Sequence, residues 1–298
     1  MGKIIKRTFI VVLLILIVLI AGSVYFLTNI DKNLDKDVFL NKDIINILLV
    51  GKETSSTVEN ESEDLPVHTD TMMVLKVNKK LNTANLISIP RDTYFEYLPG
   101  SKKRHQKINA AYFLGGIDTT KEVVEDLLDI NLDYYVEVDY KLVADIIDAL
   151  GGIDINWEYD DYYYKDDWTV PPLVIDLKRG PNHLDGNNAV SYLRTRNVYA
   201  IPDLGRINAQ QEFLLSLLNK IKEPKNIFKL PEMVSLFNKE AKTDIDFKES
   251  ISLAYYAYKY LDKENLSIVT IPGADLKIGG IDYYKVDEKT ARQIYLED

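Results

Sequence analysis

Four arginines fall in two short segments of a chain that otherwise uses lysine. Arg91 sits in Ile-Pro-Arg-Asp-Thr (residues 89–93), and Arg194, Arg196 and Arg206 sit within residues 192–206. The whole sequence holds eight arginines against twenty-eight lysines, so half of its guanidinium groups occupy these two places. A guanidinium is a planar fork that pairs bidentately with phosphate or carboxylate, which a lysine point charge cannot do. Net charge is −10, and residues 1–7 carry +3 from Lys3, Lys6 and Arg7, so the remainder carries −13. Such a body repels anions in general, and a local arginine cluster in it predicts a specific anion site. For any one arginine the alternative is an ordinary surface ion pair.

Other candidate groups are fewer. Glu53 follows one predicted strand and Asp70 precedes another. Two carboxylates at one sheet edge suit a hard cation such as Mg²⁺, which takes one or two carboxylates and leaves its other positions to phosphate oxygens and water. The alternative is two solvated loop acids among 46 acidic residues. Residues 102–107, Lys-Lys-Arg-His-Gln-Lys, form the densest basic run. Most of it reads as a solvated loop, whereas Lys107 stands at an expected helix start, where backbone donors also favour anions. His68, His105 and His183 fit neither a nucleophile triad nor a metal spacing, and the absence of cysteine excludes thiol catalysis and thiolate metal sites. Gly51-Lys52-Glu53-Thr54 is not a phosphate-binding P-loop, because Asn46 occupies the position of the required upstream glycine.

The elements that must position these groups alternate between strand and helix. Ile44–Val50, Thr71–Val77 and Ala84–Ile89 are predicted strands, the last two joined by a hairpin through residues 78–82. Pro90 ends the third and leaves Arg91 and Asp92 at its carboxyl end, where open α/β sheets bind ligands. Helical spacing covers 107–114 and 119–128. Tyr134–Val138 is a strand, Tyr140–Leu150 a helix stopped by Gly151 and Gly152, and Ile153–Asn156 a short strand. Residues 157–172 read as an aromatic, acidic loop, and His183 as a loop residue. Asp185 and Gly186 begin a helix with Arg194 near its end, and Ile207–Ile221 is a strong helix. The tail offers helices at 231–238, 248–261 and 287–296 and a strand at Leu266–Ile271. The pattern is that of an α/β fold. Gly-Gly-Ile-Asp recurs at 115, 151 and 279 without surrounding similarity and marks no repeat.

Residues 8–27 carry no charge, and at 1.5 Å per residue they span about 30 Å, the hydrocarbon thickness of a bilayer. Tyr25, Phe26 and Leu27 close the run where a cleaved signal would place small residues, so an uncleaved anchor is expected. Lys3, Lys6 and Arg7 put the N-terminus in the cytoplasm. The expected organisation is a cytoplasmic stub (1–7), a transmembrane helix (8–27), a tether (28–43) and one extracellular domain (44–298), its core at 44–222 and its tail, 223–298, packed on that core. The acidic charge and the short cytoplasmic part exclude a nucleic-acid partner.

Nine segments in order complete the picture. They are Asn-Ile-Leu-Leu-Val-Gly (46–51), Thr-Asp-Thr-Met-Met (69–73), Ser-Ile-Pro-Arg-Asp-Thr (88–93), Lys-Ile-Asn-Ala-Ala-Tyr (107–112) and Tyr-Tyr-Val-Glu-Val-Asp (134–139). Ala-Leu-Gly-Gly-Ile-Asp (149–154), His-Leu-Asp-Gly (183–186), Tyr-Leu-Arg-Thr-Arg (192–196) and Asp-Leu-Gly-Arg-Ile-x-x-Gln-Gln (203–211) follow. Over residues 44 to 222 this set resembles the LytR-CpsA-Psr family of cell-envelope proteins. The resemblance implies a mixed central sheet flanked by helices. It also implies a phosphotransferase that moves an anionic glycopolymer, of teichoic acid or capsular type, from a polyprenyl-pyrophosphate donor to peptidoglycan. The family holds the pyrophosphate with arginines and Mg²⁺ (Mn²⁺ is the other candidate), and the prenyl tail in an apolar pocket.

Carried over by that resemblance, Arg91, Arg194, Arg196 and Arg206 form the pyrophosphate clamp. Lys107, Gln210 and Asp203 are substrate-binding residues, and Asp70 and Glu53 are metal ligands. The family pattern has aspartate where Glu53 stands and arginine where His68 stands. Asp92 either takes the acceptor hydroxyl's proton or orients Arg91. Two rival functions share the same residues: hydrolysis of the donor with water as acceptor, and non-catalytic binding of the lipid-linked glycan at the envelope.

Overall fold

The computed structural model describes residues 42–52, 69–165, 173–195, 198, 213, 216, 217, 220, 221, 223–246, 249 and 265–296. Fourteen strands lie among them. In chain order they are β1 (Ile44–Lys52), β2 (Thr69–Asn78), β3 (Thr83–Ser88), β4 (Tyr94–Phe95), β5 (Gln106–Lys107), β6 (Tyr134–Asp139) and β7 (Ile153–Trp157). Then come β8 (Tyr162–Lys165), β9 (Val174–Leu177), β10 (Gly180–Leu184), β11 (Lys242–Thr243), β12 (Leu266–Thr270), β13 (Gly273–Ile278) and β14 (Ile281–Val286). The helices are α1 (Ala110–Leu128), α2 (Tyr140–Leu150), α3 (Gly186–Arg194), α4 (Leu230–Glu240) and α5 (Glu288–Leu296), with a 3-10 turn at Pro224–Lys229 before α4.

Six strands make the central sheet in the order β11-β6-β1-β2-β3-β12. β6 lies parallel to β1, and β12 parallel to β3, whereas β2 runs antiparallel to both of its neighbours and β11 antiparallel to β6. The sheet is therefore mixed, as expected. β1, β3, β6 and β12 all point the same way, so their carboxyl ends share one edge with the start of β2.

Continuous apolar runs in β1 to β3 reflect burial on both faces. Ile47, Leu49, Met73 and Leu75 point into one core, with residues of α2, α3 and α4. Leu48, Val50, Met72 and Val74 point into the other, with residues of α1 and α5. Successive residues face opposite sides because the strand period is two. α2 shows the matching logic in a helix: Leu142, Val143, Ile146, Ile147 and Leu150 are buried at i, i+1, i+4, i+5 and i+8. Five such side chains contribute roughly 10 kcal/mol of gross transfer free energy before ordering costs. Asp139 caps the helix by accepting from the Leu142 N–H, and Gly151 ends it at φ +79°, a conformation natural to glycine.

At the opposite, amino-terminal edge the buried polar groups are tied together. Asn46 receives a hydrogen bond from the Tyr295 hydroxyl at 2.9 Å, and its backbone N–H donates to Asp133 at 2.8 Å. Lys76, 3% exposed in mid-strand, donates to the Tyr295 carbonyl at 2.8 Å. These bonds fasten α5 to the sheet.

Several expected elements differ. The 107–114 segment starts its helix at Ala110, because Lys107 pairs with Tyr94 in a two-residue β-ladder. α1 is broken at Gly115 and Gly116, whose backbones are non-helical, which accounts for two separate helical periods in the sequence. Within the expected loop 157–172, residues 162–165 form β8 and pair with β9, burying Tyr162 and Tyr164 partly against the core. His183 is not a loop residue; it lies in β10 opposite Asp154. The β13–β14 hairpin was not foreseen. Gly279 and Gly280, at φ +58° and +85°, supply its two-residue turn, and both glycines are required to take positive φ. The expected helix 207–221 is helical at its described positions, where Phe213, Leu217 and Ile221 are buried. The anchor, stub and most of the tether (1–41) and all of the expected helix 248–261 except Glu249 lie outside the described residues. Among the described residues no helix is long and apolar enough to cross a membrane.

Candidate functional site

The site is built where four parallel strand ends meet. After β3, residues 90–93 form a tight turn: the Thr93 N–H donates to the Pro90 carbonyl at 3.0 Å and its hydroxyl to the same oxygen at 2.6 Å. The backbone carbonyls of the next three residues are then occupied from two elements. Asn109 donates to Arg91 (3.3 Å), Tyr284 to Asp92 (2.8 Å) and Ile108 to Thr93 (2.8 Å). The turn is thus fixed by the entry to α1 and by β14, leaving the Arg91 and Asp92 side chains half-exposed at the edge.

Lys107 forms an ion pair with Asp92 at 2.9 Å, and its ammonium lies 5.7 Å from the centroid of the Tyr283 ring. Tyr283 is buried beneath it, and its hydroxyl donates to the His105 carbonyl at 3.1 Å. Side-chain exposures of 30% and 33% keep Lys107 and Asp92 open to a ligand. Arg194 ends α3, where its cation complements the helix dipole. Its guanidinium carbon lies 5.6 Å from the ring centroid of Tyr140, the residue after β6. Arg91 follows β3, and Arg194 lies over Tyr140, the residue after β6, so the two approach the same edge from strands three places apart, with the end of β1 and the start of β2 between.

Beneath the edge lies a second, closed ion pair. Lys52 meets Glu137 at 2.9 Å, with side-chain exposures of 14% and 4%. The Tyr112 hydroxyl donates to the same carboxylate at 2.8 Å, and the Lys52 ammonium sits 5.6 Å over the Tyr112 ring. Burial first, and the bond to Glu137 second, push the Tyr112 phenol well above its ordinary value. Gly51, next to Lys52, is needed for space: a Cβ there meets the Thr71 side chain at 2.7 Å.

The structure brings Arg91, Asp92, Lys107, Arg194 and the backbone of Asp70 to one edge. Glu53, His68, Arg196, Asp203, Arg206 and Gln210 lie outside the described residues. Among the described residues no group of three His, Cys, Asp or Glu side chains is spaced for a metal ion. Mg²⁺ does not demand such a cage when substrate phosphates complete its shell. Beside Asp70 the buried Thr69 hydroxyl has no hydrogen-bond partner among the described residues, so a hard oxygen ligand is present there.

Sequence reasoning missed Tyr283, Tyr284, Lys52, Glu137 and Tyr112 as parts of this edge. The glycine pair at 279–280 between two six-residue strands was the available signal for the hairpin that brings in Tyr283 and Tyr284. Two arginines and a half-open lysine–aspartate pair at the carboxyl edge of a mixed sheet suit an anionic ligand.

The family model LytR_cpsA_psr matches residues 26–297. The chain belongs to the LytR_cpsA_psr family. It is 31% identical over 274 residues to the polyisoprenyl-teichoic acid–peptidoglycan teichoic acid transferase TagU of Bacillus subtilis, covering 89% of this chain and 81% of that protein. Among solved structures, TagV of B. subtilis superposes with a TM-score of 0.64 at 30% identity, covering 85% of this chain and 94% of the other. Protein gbs0355 from Streptococcus agalactiae superposes with a TM-score of 0.69 at 25% identity, covering 85% of each chain. Family membership accounts for the nine ordered segments and for the mixed sheet they build.

Proposed function

We propose that this protein is a membrane-anchored phosphotransferase of the cell envelope that attaches an anionic glycopolymer to peptidoglycan from a polyprenyl-pyrophosphate donor. The observation that carries the reading is the convergence of Arg91, the Asp92–Lys107 pair and Arg194 on one sheet edge in a member of this family. The name of its relative TagU states a polyisoprenyl-linked teichoic acid as donor and peptidoglycan as acceptor. The uncharged run 8–27 is the proposed anchor, with the N-terminus cytoplasmic and the main domain outside.

Phosphoryl transfer needs positioning and charge neutralisation more than covalent help from protein. The acceptor hydroxyl oxygen forms a new bond to the glycan-bearing phosphorus. The bond from that phosphorus to the bridging oxygen breaks, and polyprenyl monophosphate leaves with the electron pair. Arg91, Arg194, Arg196 and Arg206 hold the pyrophosphate and stabilise charge on the bridging and leaving oxygens. Lys107 is pre-placed by Asp92 and Tyr283, and exchanges part of its contact with Asp92 for a phosphate oxygen. Gln210 and Asp203 are the proposed supporting contacts. Asp92 is the group nearest to hand for the acceptor's proton or for orienting Arg91. Mg²⁺ or Mn²⁺, held by Asp70 and Glu53, supplies Lewis-acid neutralisation of the phosphate oxygens when bound.

The test uses the full chain in detergent with a lipid-pyrophosphate glycan donor and a peptidoglycan oligomer, products being followed by mass spectrometry. A phosphodiester-linked product that requires Arg194 and a divalent metal is expected. Free glycan phosphate without acceptor product means hydrolysis, and donor bound but unchanged means a binding protein; either result overturns the transferase reading.

A further inference from the structure

Residues 96–105 have no part in the clamp, yet they carry the densest positive charge in an acidic chain. They form the loop between β4 and β5, and β5 ends on Lys107, so the loop springs directly from the proposed pyrophosphate site. Lys102 and Lys103 are exposed and make no ion pair among the described residues, while Arg104 pairs with Glu96 across the loop at 2.7 Å. Residues 94–107 hold one acid, Glu96, against Lys102, Lys103, Arg104 and Lys107, which leaves +3 on fourteen residues of a −10 protein. Lys285 of β14 adds a further cation beside the loop, 5.3 Å over the Tyr94 ring. Tyr97 exposes 54% of its surface in the same loop.

The loop is also held in shape, unlike a loose solvated segment. The His105 N–H donates to the Glu96 carbonyl at 2.9 Å and closes the loop at its base. His105 itself sits at φ +59°, uncommon for a side-chain-bearing residue, and its Nδ1 meets the Tyr94 hydroxyl at 2.8 Å. Tyr94 packs edge-on against Tyr283 at 5.5 Å between centroids. Ser101 Oγ accepts from the Lys103 N–H at 3.1 Å, and the Gln106 side chain donates to the Lys103 carbonyl at 2.9 Å. Two exposed ammonium groups are thus presented on a turn whose base is bonded to the site.

We propose that this loop, with Lys102, Lys103 and Arg104, is a track for the anionic polymer chain of the donor, engaging its repeating phosphates beyond the pyrophosphate. The inference rests on the transferase reading and adds a subsite to it. Its physical basis is charge complementarity: a phosphate in each repeat meets a fixed row of cations beside the clamp, while the rest of the acidic surface repels it. Tyr97 offers an apolar face for a sugar ring between phosphates. Peptidoglycan bears its carboxylates on short peptides and not along its chain, so the repeating charge of the donor suits a row of cations better.

The test compares a donor bearing one repeat unit with a donor bearing about thirty, for wild type and for the Lys102→Glu/Lys103→Glu double variant. The expected result is a KM for the long donor raised about tenfold, with kcat, the short-donor KM and the acceptor KM unchanged. A KM that moves equally for both donors, that moves only for the acceptor, or that does not move at all overturns the proposal. Should wild type transfer neither donor, the transferase reading fails and binding still decides the track. Fluorescence anisotropy with a labelled poly(glycerol phosphate) chain then supports it if wild type binds in a salt-dependent way and the double variant binds about tenfold more weakly. Equal binding by both proteins overturns it.

Discussion

Two lysine–carboxylate pairs of the same length stand at the same sheet edge, and they do different work. Lys52–Glu137 and Lys107–Asp92 both measure 2.9 Å. The first is closed, with Glu137 also receiving the Tyr112 hydroxyl and Lys52 covered by the Tyr112 ring. The second is about one-third exposed on each side and lies beside the Arg91 turn. A closed pair has already lost its water, so breaking it strands a charge and is costly. An open pair keeps water within reach, contributes little to stability and can trade a partner for an incoming anion. Contact length alone therefore does not identify a functional residue; solvent access and what stands on the other side do.

The contrast can be strained most by removing the buried acid. Glu137→Ala leaves Lys52 without its counter-charge and is expected to cost about 3–5 kcal/mol of stability, read by denaturant unfolding. A loss below about 1 kcal/mol contradicts a structural role for the closed pair. Arg194→Ala sharpens the other side: transfer is expected to fall by about 100-fold or more with the unfolding midpoint almost unmoved, because the side chain lies at a helix end over Tyr140. Asp92→Asn frees Lys107 from its charged partner and is expected to lower transfer by about tenfold while changing stability by less than about 1 kcal/mol.

The smallest effect is a pH dependence. The raised Tyr112 ionisation, caused by burial and then by Glu137, adds stability that is fully present below the free phenol's value near pH 10. That stability is lost as pH climbs beyond it. Tyr112→Phe is expected to flatten the alkaline limb of a stability–pH curve and leave the neutral and acid limbs parallel to wild type.

Much of the frame was legible from residue types because local and global preferences agree. β1 to β3 read as strands from apolar runs buried on both faces, and α2 read from its 3.6-residue period and its stop at Gly151 and Gly152. The places of Arg91 after a strand and of Arg194 at a helix end were legible, because Pro90 stops the one element and Asp185 and Gly186 begin the other. What escaped was tertiary. Tyr283 and Tyr284 reach the site through a hairpin more than 170 residues away in sequence, and no local pattern announces which edge a hairpin will dock against. Glu137 is one of 46 acidic residues in the sequence. Only its register near Lys52 and the approach of Tyr112 make it a buried counter-charge.

The most direct test of the contrast measures donor affinity and unfolding midpoint on the same samples of Lys107→Met and Glu137→Gln, both in the full chain. Lys107→Met is expected to weaken donor binding about tenfold with a near-wild-type midpoint, and Glu137→Gln to lower the midpoint with donor affinity of the folded protein nearly intact. A Glu137→Gln protein that keeps its midpoint and loses the donor, or a Lys107→Met protein that binds normally, contradicts the division of labour between the two pairs.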